Sequence, residues 1–378
     1  MKRKFFRRLR ANSFKKPKPT KPDTSMSITE VLGIDIPLLQ SPMAGAQDWR
    51  LAVAVARAGG LGAIPCGMLG PEQIEEQIRA FREHSNANYN LNFFCHNMPE
   101  LNEESLQKWQ NRLTTHYQAL NVAPPETLGT LRRPFDQTIA NILAPYQPPV
   151  ISFHFGLPSA ALLQQVKSWG TVVLSSATTL EEALYLEKHG ADAIIAQGLE
   201  AGGHRGMFLN EDLSKQITTT ELLSQCKNRV SKPIIAAGGI ASASDILQVM
   251  DLGAEAVQLG TNYLLCDESN SSQVHREAIL DSKRTTALTN VFSGRPARGI
   301  SNKLMQALNN LSDDAPEFPY ATPAVAPLRT KAEANQSGDY SPLWSGSNRS
   351  GCRAVSATTL SRELWNEVLA LKQDHHNR

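Results

Sequence analysis

Eight short apolar runs between residues 36 and 259 alternate with amphipathic helical stretches, and most of these runs are continuously apolar. No Gly-x-Gly-x-x-Gly turn follows the first of them. Together these features predict the α/β class and a (β/α)8 TIM barrel, ahead of a doubly wound open sheet. Strands covered by helices on one side and by packed core on the other have no solvent face to mark with polar residues, and eight of them close a barrel. At 378 residues the chain exceeds the roughly 250 that one barrel takes, so a small additional cap is expected, built from an insertion at 95–149 and from the C-terminal segment.

The candidate strands lie at 36–40, 62–65, 89–94, 150–155, 171–174, 193–197, 233–236 and 256–259. Helices fit between them at 49–58, 71–83, 158–169, 180–189, 220–230 and 243–252. Thr179 and Ser242 stand where N-caps belong, with Glu182 and Asp245 three residues on, the spacing of a reciprocal capping box. Gly59, Gly170, Gly190 and Gly253 follow the last periodic residue of their helices, where a left-handed residue costs glycine least. The insertion holds a helical stretch at 103–120 and a proline-rich exit. After Leu265 the rhythm stops, and polar, Pro- and Gly-rich stretches lead to a last helix at 361–372. The expected division is a basic disordered arm at 1–25, a barrel at 26–266 and a cap or substrate region at 267–378.

Ten of the 38 Lys and Arg residues fall in residues 1–21, which hold no acid, so the remainder carries a net charge of −8. An acidic body argues against nucleic-acid binding. The arm reads as a solvated tail, because its Lys/Pro stretch resists helix formation and no apolar segment follows to make a secretory signal. A mitochondrial-type presequence is its other reading. No uncharged apolar run approaches the ~18 residues of a membrane span. Cysteines 66, 95, 226, 266 and 352 are odd in number and include no Cys-x-x-Cys pair, so neither a zinc cage nor a disulfide framework is read, and a reducing, cytoplasmic setting is expected. No metal is expected: His-Glu-x-x-His is absent, and His375 and His376 stand in a polar tail.

In such a barrel chemistry sits at the C-terminal ends of the strands. The first strand runs into Gln40-Ser41-Pro42-Met43-Ala44-Gly45, the third contains Asn92 and the fourth His154. The sixth runs into Gln197-Gly198-Leu199-Glu200-Ala201-Gly202-Gly203-His204-Arg205-Gly206. The seventh ends before Gly238-Gly239, and the eighth contains Gln258-Leu259 and ends before Gly260-Thr261. Gly238, Gly239, Gly260 and Thr261 suit a phosphate, because small residues let backbone N–H groups approach an anion in front of a helix N-terminus. The amides of Asn92, Gln197 and Gln258 suit the edge of a heteroaromatic ring carrying donors and acceptors. Flavin mononucleotide (FMN) has that edge and one phosphate. His204, in a loop with three glycines, is the candidate base. His154 alternates onto the face opposite Phe153 and Phe155, where an inward catalytic position and a hydrogen-bonded core position are both open.

Gln40-Ser-Pro-Met-Ala-Gly45, Gln197-Gly-Leu-Glu-Ala-Gly-Gly-His-Arg-Gly206, Ala236-Ala-Gly-Gly-Ile240, Gln258-Leu-Gly-Thr261 and Ser293-Gly-Arg-Pro-Ala-Arg-Gly299 resemble the nitronate monooxygenases, formerly called 2-nitropropane dioxygenases. The similarity runs from about Ile28 to the C-terminus. Ser152-Phe-His-Phe-Gly156 and Tyr340-Ser-Pro-Leu-Trp-Ser-Gly346 are similar to the bacterial-type, class I members, although Leu343-Trp-Ser-Gly-Ser347 stands where Leu-Trp-Ala-Gly-Gln is the family's pattern. The resemblance implies a barrel that binds FMN non-covalently, with Asn92, Gln197, Gly202, Gly239 and Gln258 through Thr261 at the cofactor and His204 beside the substrate. Met43, Ala44 and Gly238 complete the expected cofactor set. It also implies oxidation of alkyl nitronates, extending to nitroalkanes, by O2 to a carbonyl compound and nitrite; separately, a monomer or homodimer with no nucleic-acid partner is expected. A protonated His204 would hold a nitronate, and a neutral one would draw the α-proton from a nitroalkane. The alternative is an NAD(P)H-dependent enoyl-thioester or quinone reductase on the same flavin barrel. An inert barrel with a binding arm ranks behind, having no reason to place three amides, four glycines and a histidine at strand ends.

Overall fold

The computed structural model describes residues 26–376, with side chains through Asp374. The basic arm and its expected disorder, like the side chains of His375 and His376, lie outside the described residues. Helix α1 (Ile28–Leu32) opens on a capping box between Ser27 and Glu30 and ends at Gly33, whose φ of 63° is left-handed. Eight parallel strands follow: β1 (Leu38–Gln40), β2 (Gly62–Pro65), β3 (Tyr89–Phe94), β4 (Val150–His154), β5 (Val172–Ala177), β6 (Ala193–Gln197), β8 (Ile234–Ala237) and β9 (Ala256–Leu259). They run in the order β1-β9-β8-β6-β5-β4-β3-β2, and a parallel bridge from Leu39 to Leu61 joins the two ends, so the TIM barrel closes. Four strands keep their expected bounds and four shift by one to three residues. β1 and β8 start one residue after Pro37 and Pro233, which have no N–H to give a ladder.

The outer ring is α2 (Trp49–Arg57), α3 (Pro71–His84), α6 (Gln137–Leu143), α7 (Ala160–Ser168), α8 (Leu180–His189), α9 (Thr219–Cys226), α10 (Ala243–Asp251) and α14 (Ala357–His376). The last of these packs between α10 and α2, with Ala357, Leu360, Leu364 and Val368 buried against the barrel. It takes the eighth place in the ring after the chain has built the cap. Inside the barrel, Leu39, Leu61, Val150, Leu174, Ile195 and Ile235 pack together, and Ile28 and Leu32 of α1 close the end where the strands begin. α2 lies so near β2 that a Cβ on Gly62 would fall 2.1 Å from the Ala52 carbonyl oxygen. Among the described residues no helix is long and apolar enough to cross a membrane.

The cap joins the insertion to the C-terminal segment. The stretch expected as one helix at 103–120 is two, α4 (Glu103–Arg112) and α5 (Thr114–Leu120), broken at buried Leu113 ahead of the β-branched pair Thr114-Thr115. Trp109, Leu113 and Tyr117 pack against Phe292, against Leu304 of α12 (Lys303–Ala307) and against Leu328 of α13 (Thr322–Ala334). Trp109 Nε1 donates to the Ala321 carbonyl at 3.2 Å, so the buried indole is satisfied. Beyond α11 (Gln273–Leu280) runs a small antiparallel sheet of β10 (Thr286–Thr289), β11 (Ala297–Ile300) and β7 (Gly203–His204). Its register sets His204 opposite Ala297 and Gly203 opposite Arg298. The glycine-rich segment after β6 is thereby tied to the cap.

Candidate functional site

A cavity opens where the parallel strands end. Met43, Ala44, Asn92, His154, Gln197, Gly202, His204, Gly238, Gly239, Gln258, Leu259, Gly260 and Thr261 all line it. β8 and β9 are paired neighbours with Ala237 opposite Gln258, so the turns that follow them lie side by side. Gly238 and Gly239 have φ of 115° and 75°, a region open to glycine and rarely to other residues. Thr261 opens a 3-10 turn, Thr261–Leu265, and its Oγ1 accepts from the Gly346 N–H at 2.9 Å. Asn348 Nδ2 donates to the Gly239 carbonyl at 3.1 Å, so the segment around Gly346 roofs the glycine turns. Gln258 Nε2 reaches Ser41 Oγ at 3.4 Å, while its Oε1 is buried with no partner. Asn92 Nδ2 donates to Ser152 Oγ at 2.9 Å, which turns that amide along the β3–β4 seam.

His204 is not carried on a free loop, as its three flanking glycines suggested; it is half of the two-residue strand β7. Its carbonyl accepts from Gln197 Nε2 and from His154 Nε2, each at 3.0 Å, and its own Nε2 lies 2.8 Å from Ser293 Oγ. Gln197 Oε1 accepts from the Gly206 N–H at 2.7 Å, so both ends of that amide hold the segment in place. Arg205, fully buried, donates to the carbonyls of Gly198 at 2.7 Å and Gln197 at 3.1 Å and to Gln216 Oε1 at 2.9 Å. His154 Nδ1 lies 3.0 Å from Ser176 Oγ. Because His154 Nε2 faces a carbonyl it must carry the proton, and Nδ1 accepts from the serine hydroxyl. Both nitrogens are thus engaged beneath the neighbouring histidine.

Burial, reinforced by the Arg132 guanidinium and then by His154 and Arg295, holds the His204 imidazole well below the usual histidine range. His154 is pushed down to about 4 by burial, against the opposing effect of its bond to the His204 carbonyl. Both rings are therefore neutral at pH 7. The rings of Phe318 and Trp344 lie 5.4 and 5.5 Å from that of His204, with Phe155 and Phe94 farther round. Among the described residues no Asp or Glu lines the cavity. Such a site can take a proton onto a neutral imidazole and keep an anion beside it.

Sequence reasoning missed Phe94, Phe318, Arg132 and His96 and gave Ser293 and Trp344 no role. Phe94 could have been found, two residues after Asn92 on the same strand. Arg132, His96 and Phe318 stand in irregular segments with no periodicity to point them anywhere.

The profile of the nitronate monooxygenase family matches residues 25–367. A nitronate monooxygenase of Pseudomonas aeruginosa is 36% identical over 344 residues, covering 90% of this chain and 98% of its own length. One from Paraburkholderia phytofirmans is 34% identical over 346 residues, covering 90% of this chain and 94% of its own. Among solved structures, nitroalkane oxidase from Streptomyces ansochromogenes superposes with a TM-score of 0.84 at 32% identity, covering 92% of this chain and 99% of that one. FabK from Thermotoga maritima, at a TM-score of 0.71 and 24% identity over 93% of this chain and 98% of its own, shares the fold.

Proposed function

Since the chain belongs to the nitronate monooxygenase family, we propose that it oxidises alkyl nitronates, and nitroalkanes through their nitronates, with O2 to a carbonyl compound and nitrite, using FMN held in the cavity. One observation carries the reading: the His204 imidazole, fixed by Ser293 and by its own strand pairing, faces a cavity with paired glycine turns and, among the described residues, no lining carboxylate.

The residues present fit the cofactor. A buried acceptor left unpaired costs about 1–3 kcal/mol, and a ring N–H placed at Gln258 Oε1 removes that cost. A Cβ on Gly239 would crowd Glu200 at 3.2 Å and one on Gly260 would crowd Ser41 at 3.2 Å, so packing keeps both turns as glycine, and turns without side chains leave their backbone N–H groups open to a phosphate. Gly238, Gly239, Gly260 and Thr261 would hold the phosphate, Asn92 and Gln258 the ring edge, and Met43, Ala44, Gly202 and Leu259 the surrounding wall. We assign the cofactor to the barrel, the substrate side to the cap, and α14 to the barrel. When bound, FMN supplies the electron acceptor through which O2 is reduced.

The chain's own part is proton handling and placement. Ser293 Oγ donates to the Arg295 carbonyl at 3.3 Å, which leaves its lone pair for the His204 Nε2–H and makes Nδ1 the basic nitrogen. Neutral His204 takes the α-proton of a nitroalkane, and the resulting imidazolium stays beside the nitronate it has made. Gln197 and His154, both spent on the His204 carbonyl, act as positioning residues. The test is the visible spectrum of the purified protein, its released flavin, and O2 uptake with a preformed nitronate. A yellow protein that consumes O2 and releases nitrite is expected. Flavin bleached by NADPH with no nitronate turnover would assign the site to a reductase.

A further inference from the structure

The spacing of Thr179 and Glu182 predicts a reciprocal capping box, but only half of it forms: Thr179 Oγ1 accepts from the Glu182 N–H at 3.2 Å. The Ser242–Asp245 box, predicted the same way, closes on both sides. The Glu182 side chain, 1% exposed, turns elsewhere. Its Oε1 accepts from the N–H groups of Phe208 at 2.6 Å and Leu209 at 3.2 Å, and its Oε2 from the Thr178 N–H at 2.7 Å and hydroxyl at 2.8 Å. Four donors converge on one buried carboxylate, two of them from the segment that carries the base.

The other end of that segment is held by a buried cation. Arg205, next to His204, gives its guanidinium to the carbonyls of Gly198 and Gln197 and, at Nε, to Gln216 Oε1 at 2.9 Å. Gln216 Nε2 in turn donates to Thr178 Oγ1 at 2.9 Å, whose own hydrogen goes to Glu182. An unbroken chain from Arg205 through Gln216 and Thr178 to Glu182 thus joins the two charges through neutral groups, with every donor facing an acceptor. Burial and Arg298 push the Arg205 guanidinium down to about 10, against Glu200 and Glu182, so it stays charged at neutral pH.

Two desolvated charges that do not touch are a poor source of stability, whereas a fully satisfied polar network fixes one arrangement. What this network fixes is short and otherwise soft: β7 has two residues, and Gly202, Gly203 and Gly206 surround the base. The network stands behind the cavity wall, which Gln197 and His204 line. Resting on the proposed reaction, we propose that Arg205, Gln216, Thr178 and Glu182 are positioning residues that hold the His204 imidazole for proton transfer from a nitroalkane. In that step the α C–H bond breaks, an N–H bond forms at His204 Nδ1, and the electron pair stays on the nitronate. A preformed nitronate needs no such transfer, so the clamp matters for one substrate and little for the other.

Thr178→Val keeps the side chain's shape and removes both of its hydrogen bonds, while Thr178→Ser keeps the hydroxyl. At saturating flavin, kcat on nitroethane should fall about 10- to 100-fold in Thr178→Val, with KM within about twofold and turnover of ethyl nitronate within about threefold. Thr178→Ser should recover most of the loss. Gln216→Met cuts the chain at its most exposed link and gives the same test should Thr178→Val not fold. Equal losses on the two substrates, or a lower urea midpoint with kcat intact, would make the network a fastening of the fold and overturn the proposal. The imidazole itself gives a readout free of turnover. In protein labelled with nitrogen-15 histidine, the His204 Nε2–H, assigned by its absence in His204→Asn, should exchange with solvent about tenfold faster in Thr178→Val, while the His275 Nε2–H at the Trp344 carbonyl keeps its rate. Faster exchange supports the clamp even in a protein that oxidises neither substrate, which separates this proposal from the function. Unchanged exchange overturns it.

Discussion

Both ring nitrogens of His154 are engaged, at Ser176 and at the His204 carbonyl, whereas His204 has a side-chain partner at Nε2 alone, Ser293. In the proposed reaction that difference makes His154 a positioning residue and His204 the base. His204→Asn should keep its flavin and lose about 10²- to 10⁴-fold in kcat/KM with a neutral nitroalkane, and less with preformed nitronate, measured as O2 uptake. Equal loss on both substrates would remove proton abstraction from the residue. Ser293→Ala frees Nε2 and should cost about five- to tenfold on the nitroalkane, the worth of one hydrogen bond near a developing charge. Because the His204 imidazole is held well below its ordinary 6.5, kcat/KM on the nitroalkane should stay level as pH falls from mildly alkaline through 6.5. Half-loss at that pH would show an unperturbed imidazole.

At the scale of elements, the strands were legible because they have no solvent face: 62–65, 89–94, 193–197 and 256–259 occur as read. The mouth was legible for the same reason, since a residue just past a strand end is placed by the strand. β7 was not, because two residues have no periodicity and its partner Ala297-Arg298 is remote in sequence. Arg132, His96 and Phe318 escaped likewise, brought together by packing of the cap and by no local pattern. The docking of α14 on α2 and α10 was equally hidden, as the amphipathic pattern shows an apolar face without naming what covers it. Gly62 tests the α2–β2 contact: with the Ala52 carbonyl 2.1 Å from any Cβ, Gly62→Ala should destabilise the fold by about 1–3 kcal/mol, read as a lower urea midpoint.

For the whole molecule, buried neutral histidines set the acid limit. His96, His154 and His275 are held at about 4 by burial, and His204 is lowered with them, against 6.5 in the unfolded chain. As pH drops below 6.5 the unfolded chain takes up protons that the folded one refuses, so stability declines from there toward about 4 and is insensitive to these groups above 6.5. The urea midpoint should fall over that window. His275→Gln, which keeps a donor toward the Trp344 carbonyl, should make the fall shallower, and an unaltered slope would clear His275 of any share in it. Finally, the ring is finished by its last-made member. While a ribosome is still adding the cap, the groove destined for α14 between α2 and α10 stays bare. A nascent chain must carry that oily seam through the synthesis of every residue from the end of β9 to Ala357, and a premature stop anywhere before α14 leaves a seven-helix collar with an apolar gap open to water.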